Sequence, residues 1–273
     1  PHGENDMTIK NIIRAGFMCT RAAQLRILSL SALLASAAFA TSAPIKSSAS
    51  EPFQPVQSGL AFAGADGYGK NAIGGRNGAI IFVTTLADRG PGSLRACIDA
   101  SGRRVCIFRV GGIIRFTTTR PIIRNPYLTI AGQTAPGGGI LLTHNGGADG
   151  LTPLVVKGTH DIIIRDIRVR SDMRGNNRGS NSGYVIQDSR NVIIDHVSGS
   201  WALDENMGLT GQNDMVTISW SIFAEGIPPH DKCALLGNNP KGPQHLSFIN
   251  NLCAHNGDRN PDINFAPNSC VDV

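Results

Sequence analysis

Residues Asn191 to Glu205 read NVIIDHVSGSWALDE, a β-strand pattern that runs directly into a histidine and a cluster of carboxylates. Weaker echoes of that strand recur as YLTIAG from Tyr127, DIIIRDIRV from Asp161, MVTISWSIF from Met215 and HLSFINNLC from His245. Anchored on Leu128, Ile162, Val192, Val216 and Leu246, the steps are 34, 30, 24 and 30 residues. Such spacing is too irregular for a helical repeat and suits strand coils with loop insertions. A second series, Leu154, Val185, Leu209 and Leu235, sits in short apolar strands a turn earlier. Two ladders advancing together are what a single-stranded parallel β-helix, an all-β solenoid, writes into a sequence. Runs such as Ile162-Ile163-Ile164 are then rungs of its interior.

Composition agrees with many short strands and turns. The 273 residues include 32 glycines and 15 prolines but only 5% aromatic residues. Glycine pairs and triplets, Gly74-Gly75 and Gly137-Gly138-Gly139, are read as tight bends; no helix follows them, which argues against a phosphate cradle. One short helix is expected within Arg89 to Ala100, RGPGSLRACIDA, closing the end of the coil.

The N-terminus is different. Leu25 to Ala40, LRILSLSALLASAAFA, is continuously apolar or small, Arg14, Arg21 and Arg26 precede it, and Ala38-Phe39-Ala40 supplies a small-x-small cleavage pattern. Residues 1–40 therefore read as upstream residues, from Pro1 to Asp6, followed by a secretory signal peptide starting at Met7. The run falls short of the roughly 20 residues that span a bilayer, so no membrane association is expected once the leader is removed. Residues 41–58 form a Ser/Pro-rich linker, and 59–273 a single β-helix domain.

Export implies a compartment in which disulfides persist. Beyond Cys19 in the leader, Cys97 and Cys106 bracket a turn and are expected to bridge adjacent strands. Cys233 and Cys253 lie about one coil apart and either pair or remain buried thiols; Cys270 is left over, with its partner expected beyond the end shown. The net charge of +5 falls to +3 without the leader. A mild basic excess is compatible with an acidic polysaccharide, whereas nucleic acid is excluded by export and by the lack of basic stripes interleaved with aromatics.

At Asp195-His196 the sequence NVIIDHVS resembles the strand of the pectate lyase family in which a tryptophan stands at the position of Ile193. Further matches run from Gly64 onward: GADGYGKNAIGGRNG, TIAGQTAPGGGI, SWALDEN, TISWSIFAEGI and INNLCAHNGDRNP. The resemblance implies a right-handed parallel β-helix that cleaves polygalacturonate by β-elimination with Ca²⁺; with the leader removed, a secreted monomer is expected. Removing the C5 proton of a uronic acid leaves a carbanion beside a carboxylate, so the site must neutralise that carboxylate and stabilise the enolate.

Under the resemblance the base is the arginine of AHNGDRNP, Arg259, although free guanidinium is ordinarily always charged. Either the site lowers its proton affinity or Arg259 stabilises charge while another group accepts the proton. Lys232 matches a lysine that grips substrate carboxylate, and His230 a second substrate contact. Asp204 falls where the family has an acidic calcium ligand, and Glu205 beside it would point to the opposite face if the segment is extended. Ser182 and Gly208 stand where relatives carry further carboxylates, and Asp172 is a possible substitute, so the calcium site is expected to be weakened or completed only by substrate.

Asp195 and His196 are read as scaffolding that bonds turn backbone, not as a catalytic dyad. Asn250 and Asn251 are read as stacking turn asparagines, and Trp201 and Trp220 as core or groove wall. Two other classes compete with the lyase. A β-helix glycoside hydrolase needs two opposed carboxyl groups, for which consecutive Asp204 and Glu205 are poorly arranged. A non-catalytic carbohydrate-binding β-helix needs no acid or base at all. The chain stops at Val273 within another strand-like segment, SCVDV, so the solenoid is expected to be truncated at its C-terminal end.

Overall fold

Val192 pairs in parallel with Ile162 on one side and Val216 on the other, Ile162 pairs with Leu128, and Val216 with Leu246. The first ladder read from the sequence is therefore a continuous row of hydrogen-bonded neighbours, and all five side chains are buried. The computed structural model describes residues 59–144, 152–171 and 181–273. The leader, the linker and Asp172 lie outside the described residues.

Three parallel sheets run along the solenoid. The first has eight strands: β1 Ala79–Val83, β2 Arg104–Phe108, β5 Leu128–Ala131, β8 His160–Arg165, β11 Arg190–Asp195, β14 Asp214–Ser219, β17 His245–Ile249 and β20 Cys270–Asp272. The second has six: β4 Ile122–Ile123, β7 Leu154–Lys157, β10 Tyr184–Gln187, β13 Glu205–Thr210, β16 Lys232–Asn238 and β19 Asp262–Ile263. The third has β3 Gly112–Phe116, β6 Ile140–His144, β9 Ile167–Arg170, β12 Ser198–Ser200, β15 Ile222–Ala224 and β18 Leu252–Ala254. The fold is a right-handed parallel β-helix, as expected, with three ladders where two were read.

The second ladder is slipped by one residue relative to the sequence reading. Leu154 pairs with Tyr184, not Val185, and Leu209 with Ile186, while Val185, Gly208 and Leu235 share one row. A one-residue slip exchanges the faces of a strand. Leu154, Tyr184 and Met207 point into the core, whereas the Val185 row faces outward. Both faces of this sheet carry apolar residues, so alternation could not fix its register.

The isoleucine runs need a similar correction. Ile162 and Ile164 enter the interior, but Ile163 packs outside with Ile193, Ala65 and Ala72. Segment 61–78 lies across the outer face of the first sheet and buries it from both sides, which is why its strands read as unbroken apolar runs. Backbone groups of the segment are tied to the sheet: Gly69 N–H donates to Thr217 Oγ1 at 2.8 Å, and Tyr68 N–H to Ser247 Oγ at 3.1 Å. At Gly69 a Cβ would stand 2.3 Å from the Val192 carbonyl oxygen, so only glycine permits the approach.

The expected helix is α1, Leu94–Asp99, with the Ser93 hydroxyl accepting from Ala96 N–H at 3.1 Å as N-cap. Its buried face carries Leu94, Cys97 and Ile98 against the first coils. Cys97 and Cys106 are disulfide-bonded, joining helix to strand instead of two strands. Cys233 and Cys253 are also paired, joining β16 to β18. Cys270 opens β20 and is disulfide-bonded, so it is not left over as the sequence reading had it.

Beside α1, Asp88 accepts from Arg95 Nε at 2.8 Å, Thr117 N–H at 3.0 Å and Thr118 N–H at 3.2 Å. Burial alone would raise its pKa, but these hydrogen bonds and the Arg95 charge outweigh it and bring the carboxyl down to about 2. A depressed carboxyl contributes stability above its unfolded pKa, and that stability is lost as pH falls through the folded value. Between pH 4 and pH 2 the wild type therefore loses about 1–2 kcal/mol that an Asp88→Asn variant does not lose, measurable as converging urea midpoints.

Candidate active site on the second sheet

The outer face of β10, β13 and β16 forms a cleft of about 380 Å³ into which Asp204, Glu205, Lys232 and Arg259 all reach. Glu205 pairs in register with Lys232, and Lys232 forms a parallel bridge with Asp258, the residue before Arg259. The sheet thus gathers charged groups separated by more than fifty positions of chain. Lys232 Nζ donates to Asp204 Oδ1 at 3.0 Å. Arg259 Nη1 donates to Glu205 Oε1, and Arg259 Nε lies 3.6 Å from Asp262 Oδ2. Ser182 Oγ donates to the other Glu205 oxygen at 3.1 Å.

Both Asp204 and Glu205 line the cleft, where strict alternation would have sent one of them away. The reason is local: Asp204 sits in a bend and β13 begins only at Glu205, so the two do not share an extended backbone. Asn206, fully buried, accepts from Ala202 N–H at 3.3 Å and donates to the Ala224 carbonyl and to Asn256 Oδ1. Asn256 in turn accepts from Gly226 N–H and donates to the Phe223 carbonyl. This pair of asparagines fixes the bend that presents Asp204 and Glu205, and sequence reasoning overlooked it. Its signal was present: Asn206 closes SWALDEN and Asn256 lies within INNLCAHNGDRNP.

Arg259 itself has φ 51°, a left-handed conformation, and its carbonyl accepts from Ala234 N–H at 2.9 Å. The backbone is therefore pinned to β16 while the guanidinium turns toward the two carboxylates. Ser182 and Gly208 stand beside Glu205: a Cβ at Gly208 would lie 3.4 Å from Ser182 Oγ and 3.8 Å from Glu205 Oε2. Asp204, Glu205 and Ser182 offer only oxygen, which suits a hard cation in kind. In number they fall short, since among the described residues no three His, Cys, Asp or Glu side chains gather for a metal ion.

Other residues singled out lie elsewhere. His230 is exposed and does not line the cleft; its carbonyl accepts from Lys232 N–H at 2.8 Å. Asp195 is a buried hub, but of side chains and not of turn backbone: it accepts from Arg165 Nε at 3.0 Å, Ser219 Oγ at 2.8 Å and His196 Nδ1 at 2.6 Å. Asn251 accepts from Ser221 N–H and donates to the Ile218 carbonyl, the expected turn role, while Asn250 occupies a left-handed turn position. Trp201 and Trp220 are 44% and 57% exposed, so neither is core, and neither lines the cleft. Trp220 stacks on His196 instead, and Trp201 Nε1 donates to Glu225.

Fold and site together define a class, a parallel β-helix bearing a cleft of paired carboxylates and cations on one sheet face. No family model matches the chain. It is 38% identical over 222 residues to a probable pectate lyase C of Aspergillus fumigatus, covering 81% of this chain and 49% of that protein. A probable pectate lyase C of Aspergillus oryzae is 39% identical over 75% of this chain and 45% of its own length. A probable pectate lyase 18 of Solanum lycopersicum is 29% identical over 64% of this chain and 44% of its own. The chain spans about half the length of these curated relatives. The crystal structure of Jun a 1, the major allergen from cedar pollen, matches with a TM-score of 0.57 at 20% identity, covering 75% of this chain and 61% of that one, a likeness of fold. The resemblance read from the motifs is thus borne out across most of the chain.

Proposed function

We propose that the cleft on the second sheet binds polygalacturonate and cleaves it by calcium-assisted β-elimination, in a secreted, monomeric protein. The observation that carries this reading is the pairing of Lys232 with Asp204 and of Arg259 with Glu205 in one cleft. The names of the relatives point to the same chemistry.

In this reading Lys232 exchanges its Asp204 partner for a substrate carboxylate, a charge-assisted contact of the same kind. Arg259 faces the reacting sugar at C5 and stabilises the charge that develops there. A guanidinium is ordinarily always charged, so the departing proton goes to the Arg259–Glu205 pair as a unit and not to a free guanidine. The electrons of the C5–H bond form the C4–C5 double bond, the C4–O bond breaks, and the leaving oxygen takes a proton from a water whose hydroxide is neutralised by the proton held on the Arg259–Glu205 pair, so no water is consumed. Asp204 and Glu205 would hold Ca²⁺, with polymer carboxylates and water supplying the remaining oxygens. When bound, the ion neutralises the substrate carboxylate next to C5. Ser182 and Gly208, in place of further carboxylates, make binding of the ion depend on the polymer.

Incubation with polygalacturonate tests the reading: ultraviolet-absorbing unsaturated ends appear, and a chelator lowers their rate of formation by at least about tenfold. In the absence of polymer, calorimetry detects only weak calcium binding. Reducing ends without absorbance would replace elimination with hydrolysis, and neither signal would leave a carbohydrate-binding β-helix.

A further inference from the structure

A second groove, about 440 Å³, lies at the N-terminal end of the same sheet and is lined by Arg89, Arg95, Arg120, Arg124 and a single carboxylate, Asp99. Arg95 is committed to Asp88 through two hydrogen bonds, and Arg89 is held by Thr118 and Thr119. Among the described residues Arg120 and Arg124 make no side-chain hydrogen bond or ion pair, so two guanidiniums face the groove with their donors available.

The register connects this groove to the cleft. Ile122 pairs with Val155 and Ile123 with Val156, so the next residue, Arg124, continues onto Lys157. Lys157 pairs with Gln187, Gln187 with Thr210 and Thr210 with Asn238, and the last two line the cleft. Val155 in the adjacent row is buried, whereas Lys157 is partly exposed, so the open row is the one that begins with cations. Successive strands are about 4.8 Å apart, which puts Arg124 roughly 14 Å from Thr210 along the sheet.

We infer that Arg120, Arg124 and Lys157 form a distal subsite for the carboxylates of a polyuronate chain whose other end occupies the cleft. Cations on one face, aligned with the cleft and without carboxylate partners, recognise a ligand that carries negative charge at regular intervals. A short uronate fills the cleft alone, and only a longer chain reaches the arginines. The inference rests on the proposed substrate but not on the proposed reaction.

The test compares the wild type with an Arg120→Gln, Arg124→Gln double variant and a separate Lys157→Gln variant, all with thermal midpoints checked. Affinity for polygalacturonate at low salt falls about fivefold in the double variant, and the difference vanishes at high salt. Affinity for digalacturonate is unchanged, and kcat on the polymer is unchanged. Lys157→Gln gives a smaller loss of the same salt-sensitive kind. Unchanged polymer affinity at low salt in the double variant, or equal losses for polymer and dimer, overturns the inference. Should the wild type bind polymer yet yield no unsaturated ends, the elimination reading fails alone, and the arginine dependence of binding still decides this one.

Discussion

An Arg259→Lys variant is expected to lose about a thousandfold in kcat on polygalacturonate while KM changes by less than about threefold. Lysine keeps the positive charge and, being as long as arginine to a first approximation, keeps the packing. It lacks the planar fork through which Arg259 faces Glu205 and Asp262 together. If the fork sets both the charge stabilisation at C5 and the path of the proton, a point charge cannot replace it. Lys232→Ala should behave differently, raising KM by about tenfold or more, because its ammonium is assigned to binding carboxylate in ground and transition states alike. Equal kcat for wild type and Arg259→Lys would remove Arg259 from the reaction. The change leaves the core untouched, so a shared thermal midpoint separates chemistry from folding.

The largest effect on stability is expected at Arg104. This arginine is fully buried, and its guanidinium donates to five carbonyl oxygens: those of Cys97, Ile98, Gly102, Asn125 and Pro126. Two of these end helix α1, where carbonyls lack helical partners, so Arg104 ties the helix end to the turn before β5. Burial lowers its pKa and the Asp99 charge opposes that shift. Arg104→Met fills the volume and leaves the carbonyls without donors, at a cost of about 3–5 kcal/mol. Against a typical stability of roughly 5–15 kcal/mol, that is a large fraction. Urea unfolding reads it as a lower midpoint with an unchanged slope. A loss under about 1 kcal/mol would mean that water reaches the carbonyls readily.

The first sheet was legible because its strands from β5 to β17 are four to six residues long and covered on both faces, so repeats of Leu128, Ile162, Val192, Val216 and Leu246 stand out and land in register. The third sheet escaped notice because β12, β15 and β18 have three residues each and carry Ser198, Ile222 and Leu252 outward in one row. Three residues are too few for alternation to register, and a row that mixes serine with exposed isoleucine and leucine has no polarity signature. The second sheet was found but slipped, since its outer face is a cleft floored by Val185 and Leu235 and hence apolar on both sides.

The site shows the same division. Glu205 and Arg259 were singled out through the motifs that hold them and Lys232 by its match to a family lysine, and it is the pairing of β13 with β16 that brings them together. Whether Asp204 and Glu205 share a face depends on where β13 begins, one residue that no pattern marks. The role of Asp195 was read correctly as scaffolding, but its partners, Arg165 and Ser219, come from neighbouring coils 30 and 24 residues away. Contacts across coils follow loop lengths, and loop lengths are what the sequence repeats conceal.

The central claim is that this cleft breaks the polymer without consuming water. Mass spectrometry of the products from polygalacturonate, using the full chain with calcium present, tests it most directly. Elimination predicts that the fragments sum to the mass of the parent chain, with the new non-reducing end lighter by one water than a saturated sugar. Fragments that together exceed the parent by one water per cut would contradict it.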